Sequence, residues 1–176
     1  MTTTKKFIFD LPALRVLENE HNYLSYLMEG WHSIVLNFER EIYSVEEARE
    51  ALKNLRKLIV EFIEPFKNHT EKEEEILFPM LAKYIGDEQG PIRALEDEHE
   101  EIDAYIGHFL HHTIGNLNEL SLQDMNDIVK DAGEAFEVIT IHFVKEQSIA
   151  FPMVINNLRI TEQDQLFDEL YTSILK

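Results

Sequence analysis

From Leu14 onward, apolar residues recur in alternating steps of three and four: Leu14, Leu17, Leu24, Met28, Trp31, Val35, Phe38 and Ile42, with one gap at position 21. Such a stripe is the buried face of an amphipathic helix. Asp10 followed by Pro12 marks its start. Ser44 with Glu47 forms a capping box that opens a second helix. Its seam runs Leu52, Leu55, Ile59, Phe62, Phe66, then a gap, then Ile76 and Met80. Pro65 falls inside this helix and predicts a kink, although the seam keeps its phase across it. The loop GDEQGP (86–91) ends on a proline at the start of a third helix, whose seam is Ile92, Leu95, Ile102, Ile106 and Phe109. After the connection GNLNELS, Ser121 caps a fourth helix with Ile128, Ala132, Ala135, Ile139, Ile149 and Met153 on its seam. Thr161 with Asp164 caps a short last helix ending near Ile174.

Four amphipathic helices with short connections predict an all-α fold, an up-down-up-down four-helix bundle with the short C-terminal helix packed outside it. Residues 1–176 read as a single domain, with the bundle core over about 10–157. The halves of the chain also repeat each other. LENEHNYL at 17–24 matches LEDEHEEI at 95–102, and HTEKEEEILFPM at 69–80 matches HFVKEQSIAFPM at 142–153. The chain therefore reads as a duplicated helical hairpin.

The gaps in the seams carry the chemistry. They are His21 in the first helix, His69 and Glu73 in the second, His99 in the third, and His142 and Glu146 in the fourth. Apart from Thr113 at the end of the third helix, the rest of the seam is apolar. In an antiparallel bundle the starts of odd helices meet the ends of even ones, so these six side chains converge at one level. Burying them is costly unless they are paired or hold a metal. A His and a Glu at i and i+4 share a helix face, so each His-x-x-x-Glu supplies a nitrogen and an oxygen to one neighbourhood. Six mixed N and O donors are too many for one tetrahedral zinc. They suit iron, with manganese second and zinc disfavoured, and two carboxylates from opposite helices suit bridges between two ions.

Composition removes other chemistries. The chain has no cysteine, so disulfides, thiolate ligation and thiol catalysis are excluded. With 34 acidic against 16 basic residues, the net charge of −18 makes nucleic acid and anionic membranes poor partners. No apolar run approaches the roughly 20 residues of a membrane span. The start MTTTKKFIFDLP lacks the long apolar region of a secretory signal. The expectation is a cytoplasmic protein without membrane or nucleic-acid partners.

The two Glu-His helix starts, Glu20-His21 and Glu98-His99, together with the two His-x-x-x-Glu…Phe-Pro segments, resemble the hemerythrin-like family, also called the HHE cation-binding domain. The resemblance covers roughly residues 10 to 157. It implies a four-helix bundle with a dinuclear non-heme iron site, oxo- or hydroxo-bridged. Carried over residue by residue, His21, His69, His99 and His142 are terminal ligands and Glu73 and Glu146 the bridges. The chain departs from the oxygen-carrying members one turn after the third-helix ligand, where Asp103 stands in place of a histidine. That departure favours the family's redox, sensing and repair members over a pure oxygen carrier. The first functional expectation is a centre that binds or senses a small diatomic ligand, dioxygen or nitric oxide. The alternative is a redox or stress enzyme, or an iron donor, acting in peroxide removal or iron–sulfur cluster repair. Ferritin-like oxidases use Glu-x-x-His pairs, and this chain has His-x-x-x-Glu. The amphipathic last helix leaves room for a homodimer.

The remaining polar residues read as bland. His32 lies about 16 Å along the helix from His21 at 1.5 Å per residue, too far for the same site. His108, His111 and His112 read as surface residues. Glu20 and Glu98, rotated about 100° from their neighbouring histidines, read as solvated. Glu74 reads as solvated with a weaker claim to contact a ligand. Tyr23, Tyr26 and Tyr105 read as packing. Phe78-Pro79 and Phe151-Pro152 read as breaks that end or kink their helices and plug the bundle.

Overall fold

The computed structural model describes residues 7–86 and 90–175, so part of the GDEQGP loop lies outside the described residues. Among the described residues are seven α-helical segments: α1 (Pro12–Glu39), α2 (Val45–Lys72), α3 (Phe78–Ile85), α4 (Pro91–His112), α5 (Leu122–Lys145), α6 (Phe151–Asn157) and α7 (Ile160–Leu170). Two π-helical turns, Glu73–Leu77 and Glu146–Ala150, join α2 to α3 and α5 to α6. The result is four long bundle helices, with α7 packed against α1. No strand occurs among the described residues.

The helix starts follow local chemistry. Ser44 and Ser121 both form reciprocal caps, with Glu47 and Asp124 returning to the cap backbone. Pro12 and Pro91 occupy first-turn positions where a missing N–H costs nothing. The last helix opens earlier than the Thr161 reading: Glu162 accepts from the backbone N–H of Arg159, and the helix stops at Leu170, not near Ile174. α1 stops at Glu39, and the chain turns through Glu41 at φ 55°, so Ile42 falls outside the seam and is exposed. α2 runs through a buried Pro65 without interruption.

The Phe-Pro pairs do not end their helices. Pro79 and Pro152 lack the N–H that an α-helix would use, and their rings crowd the preceding turn. The chain widens there by one residue, so that the amides of Phe78 and Phe151 donate to Glu73 and Glu146 five residues back. The extra residue rotates everything downstream by about 100°. Ile149, placed on the seam by a strict α-helical count, is 40% exposed, and Ile76 and Met153 are only half-buried. Leu77, Phe78, Ala150, Phe151 and Val154 take the interior instead. Ile128 is likewise half-buried, and Met125 and Val129 fill the seam on either side of it.

Two apolar clusters fill the bundle. One spans Leu24 to Phe38 of α1 with Leu52 to Phe66, Ile102 to Phe109 and Met125 to Phe143. The other joins Leu14 and Leu17 to Leu77, Phe78, Phe151, Val154 and the inner face of α7. The polar level of the bundle lies between them. Helix 122–157 contains an 18-residue window of mean hydropathy 1.3, long and apolar enough to cross a membrane by length and composition. In the bundle that helix packs its apolar face inward and carries His142 and Glu146 to the polar level.

Candidate metal centre

The six side chains that interrupt the seams meet in one buried cluster. Each of them is almost wholly shielded from solvent. Their inward atoms form two groups: His21, His69, Glu73 and Glu146, and Glu73, His99, His142 and Glu146. Within each group the donor atoms lie within 4.8 Å of one another. Both carboxylates belong to both groups, and each divides its oxygens between them. Glu73 places Oε1 2.7 Å from His69 Nε2 and Oε2 3.2 Å from His99 Nε2. Glu146 places Oε2 2.8 Å from His21 Nε2 and Oε1 3.0 Å from His142 Nε2. Each group thus offers two imidazole nitrogens and two carboxylate oxygens.

The outer nitrogens orient the rings. His69 Nδ1 lies 3.0 Å from Glu20 Oε1, His142 Nδ1 2.8 Å from Glu98 Oε2, and His99 Nδ1 2.6 Å from Glu74 Oε1. A carboxylate only accepts, so Nδ1 carries the proton and Nε2 can turn a lone pair inward, as metal-binding histidines do. His99 Nε2 and His142 Nε2 stand 2.9 Å apart. All four oxygens of Glu73 and Glu146, with Nε2 of His21 and His69, are buried without a hydrogen bond of acceptable geometry. Buried charged acceptors left in that condition are expensive, and a cation between them removes the expense. Imidazole and carboxylate donors in this number fit a pair of metal ions.

Residues 14–154 match the family model described as the hemerythrin HHE cation binding domain. The chain belongs to the hemerythrin HHE family. The iron-sulfur cluster repair protein YtfE of Escherichia coli O81 (strain ED1a) is 29% identical over 110 residues, covering 57% of this chain and 46% of the relative. YtfE proteins of Escherichia coli (strain SMS-3-5 / SECEC) and Escherichia fergusonii are 28% identical with the same coverage. The chain therefore spans just under half the length of these curated relatives. No solved structure matches it significantly.

In this HHE domain the structure brings together all six residues read from the sequence. Asp103 is outside the cluster, exposed on α4. Partial burial and the nearby Glu74 charge raise its carboxyl pKa, while His99 opposes them. His32 stacks on Phe136 at 4.0 Å, and His108, His111 and His112 are exposed. Tyr23 and Tyr105 are half-buried, whereas Tyr26 is exposed.

Glu20 and Glu98 face a neighbouring helix, not the solvent that their rotation from the seam predicts. Glu20 is only 6% exposed and also accepts from Lys72 Nζ at 2.7 Å, while Glu98 pairs with Lys145. A position beside the seam faces the flank of the antiparallel neighbour, not open water. The signal was present: both halves carry Glu-His on one helix and His-x-x-Lys-Glu on its partner. Burial would raise the pKa of Glu98, but hydrogen bonds from His142 and Lys145 bring it below the ordinary value.

In the metal-free domain, protons take the place of cations. Burial alone would lower the His69 pKa, yet the Glu73 charge, the hydrogen bond to Glu20 and the Glu146 charge push it up to about 10. For His142, burial is likewise outweighed by Glu146 and Glu98, again up to about 10. Burial would raise Glu73, but the surrounding histidines hold it well below the carboxylate range. A histidine whose pKa is raised on folding contributes stability below its unfolded value of about 6.5 and loses that contribution as pH climbs toward the folded value. Chelator-treated protein should therefore unfold at lower urea concentration at pH 9.5 than at pH 6.5, as read by circular dichroism. A midpoint that rises over that window would contradict the assignment.

Proposed function

We propose that this HHE domain holds two non-heme iron ions, His21 and His69 on one and His99 and His142 on the other, with Glu73 and Glu146 bridging, and that the pair binds dioxygen or nitric oxide. The observation that carries this reading is the division of oxygens: both buried carboxylates turn one oxygen to each histidine pair. Four protein donors per ion leave exchangeable positions on a six-coordinate metal, and a bound iron pair supplies redox-active sites for a diatomic ligand. The surrounding side chains keep those positions away from bulk water. Phe143 and Phe151 stack with His21 at 4.2 and 5.6 Å, and Phe78 stacks with His99 at 6.0 Å. Neutral imidazoles in this apolar shell favour the ferrous pair over a cage of carboxylates. Anaerobically reduced, iron-loaded protein should change its visible spectrum on exposure to nitric oxide or dioxygen. An unchanged spectrum with both gases would remove the reading.

A second reading is iron–sulfur cluster repair, which the likeness to the YtfE proteins favours. It requires the domain to release iron, not merely to hold it. Recovery of activity in a cluster-damaged dehydratase incubated with the iron-loaded protein would support it; no recovery above an equal concentration of free ferrous iron would exclude it.

A further inference from the structure

The internal repeat relates the two halves of the centre, and the halves differ at one hydrogen-bonding position. Aligning residues 69–80 with 142–153 pairs His69 with His142, Lys72 with Lys145, Glu73 with Glu146, and Glu74 with Gln147. The outer contacts follow that pairing. Glu20, just before His21, reaches His69 Nδ1, and Glu98, just before His99, reaches His142 Nδ1. Each of these carboxylates also holds its lysine, Lys72 or Lys145. Those two arms match.

The other two arms do not match. His99 Nδ1 lies 2.6 Å from the Glu74 carboxylate, whereas His21 Nδ1 lies 3.3 Å from the side-chain amide of Gln147. With His21 Nε2 on a cation, Nδ1 is the protonated nitrogen, and the amide turns to accept it through Oε1. A carboxylate in that role makes the imidazole a stronger donor than a neutral amide does. A second difference lies in the flanking side chains. Phe143 stands where the first half has Thr70, and it stacks with His21 beside Phe151. The Glu74 side chain is 45% exposed, whereas His99 itself is buried and stacks on Phe78 alone.

We infer that the two cation positions are inequivalent and that residues 74 and 147 set the difference. The His99–His142 position, backed by two outer carboxylates, binds a divalent cation more tightly than the His21–His69 position, backed by one. This rests on the two-cation reading above. Glu74 and Gln147 are positioning residues that act through His99 and His21.

Anaerobic titration of chelator-treated full chain with Co(II), followed by absorbance and equilibrium dialysis, tests the inference. Repulsion between two neighbouring cations separates the binding steps by itself, so the variants decide. Glu74→Gln should weaken the tighter step by about 10–100-fold and narrow the separation. Gln147→Glu should tighten the weaker step by a similar factor and leave the tighter one in place. The exchange variant carrying both substitutions should recover two well-separated steps, which a general loss of structure would not do. Circular dichroism reports that the variants remain helical. The inference is overturned if either single variant leaves both steps at their wild-type positions, or if Glu74→Gln weakens the weaker step alone. Two cobalt ions bound with no response to either variant would leave the two-cation reading standing and remove only the inequivalence. No cobalt bound at all would remove both.

Discussion

On the two-iron reading, Glu73→Gln should reduce the iron content from two ions per chain to one or none while leaving the helices intact. Glu73 divides its oxygens, Oε1 toward His69 and Oε2 toward His99. Glutamine keeps the shape but offers a single oxygen; its amide nitrogen is a donor and cannot ligate. One cation position therefore loses a donor, and both lose half of a shared negative charge. The loss should exceed the ~10–100-fold typical of removing an outer partner of a ligand. The repeat makes the same prediction for Glu146→Gln. Iron analysis beside circular dichroism checks both variants. Two irons retained in Glu73→Gln would mean that the oxygens facing the two histidine pairs do not bridge.

Trp31→Ala should have the opposite signature, costing the fold and sparing the donors. Trp31 is completely buried in the apolar cluster remote from α7, edge-on to Phe62 at 5.4 Å, with its indole N–H donating to the Ala132 carbonyl at 2.9 Å. Removing such a side chain leaves a cavity in a close-packed interior and costs about 3–5 kcal/mol. In a chain of this size that corresponds to roughly 6–20 °C in melting temperature. Ala132 lies inside α5, where its carbonyl has a helical partner, so the cost comes from lost packing and not from an orphaned acceptor. Trp31 lies ten residues from His21 along α1, about 15 Å at 1.5 Å per residue, so Trp31→Ala should bind as much metal as the wild type below its lowered transition. Differential scanning calorimetry reads the shift; a change of less than about 2 °C would mean the interior there is loosely packed.

The bundle and its six interior polar residues were legible because one observation served both. A seam that is apolar except at His21, His69, Glu73, His99, His142 and Glu146, with Thr113 at one helix end, predicts helices and marks the site at once. Two features beside the site were not legible, each for a physical reason. The π-helical turns follow from prolines whose missing N–H can be accommodated by a break, a kink or a widened turn. Only packing chooses among these, and the choice moved Ile76, Ile149 and Met153 off the seam. Glu20 and Glu98 were hidden by a rule that treats a helix as alone in water. The flank of a bundle helix is half neighbour, and there the Lys72 and Lys145 ammonium groups make burial of a carboxylate tolerable.

The most direct test of the dinuclear assignment is the metal content and near-ultraviolet absorbance of protein purified without added metal, reduced under argon and then opened to air. The account predicts two irons per chain and new near-ultraviolet bands on oxidation. One zinc per chain, or a metal-free, colourless and stably folded protein, would contradict it and leave the six convergent side chains with a purely structural role.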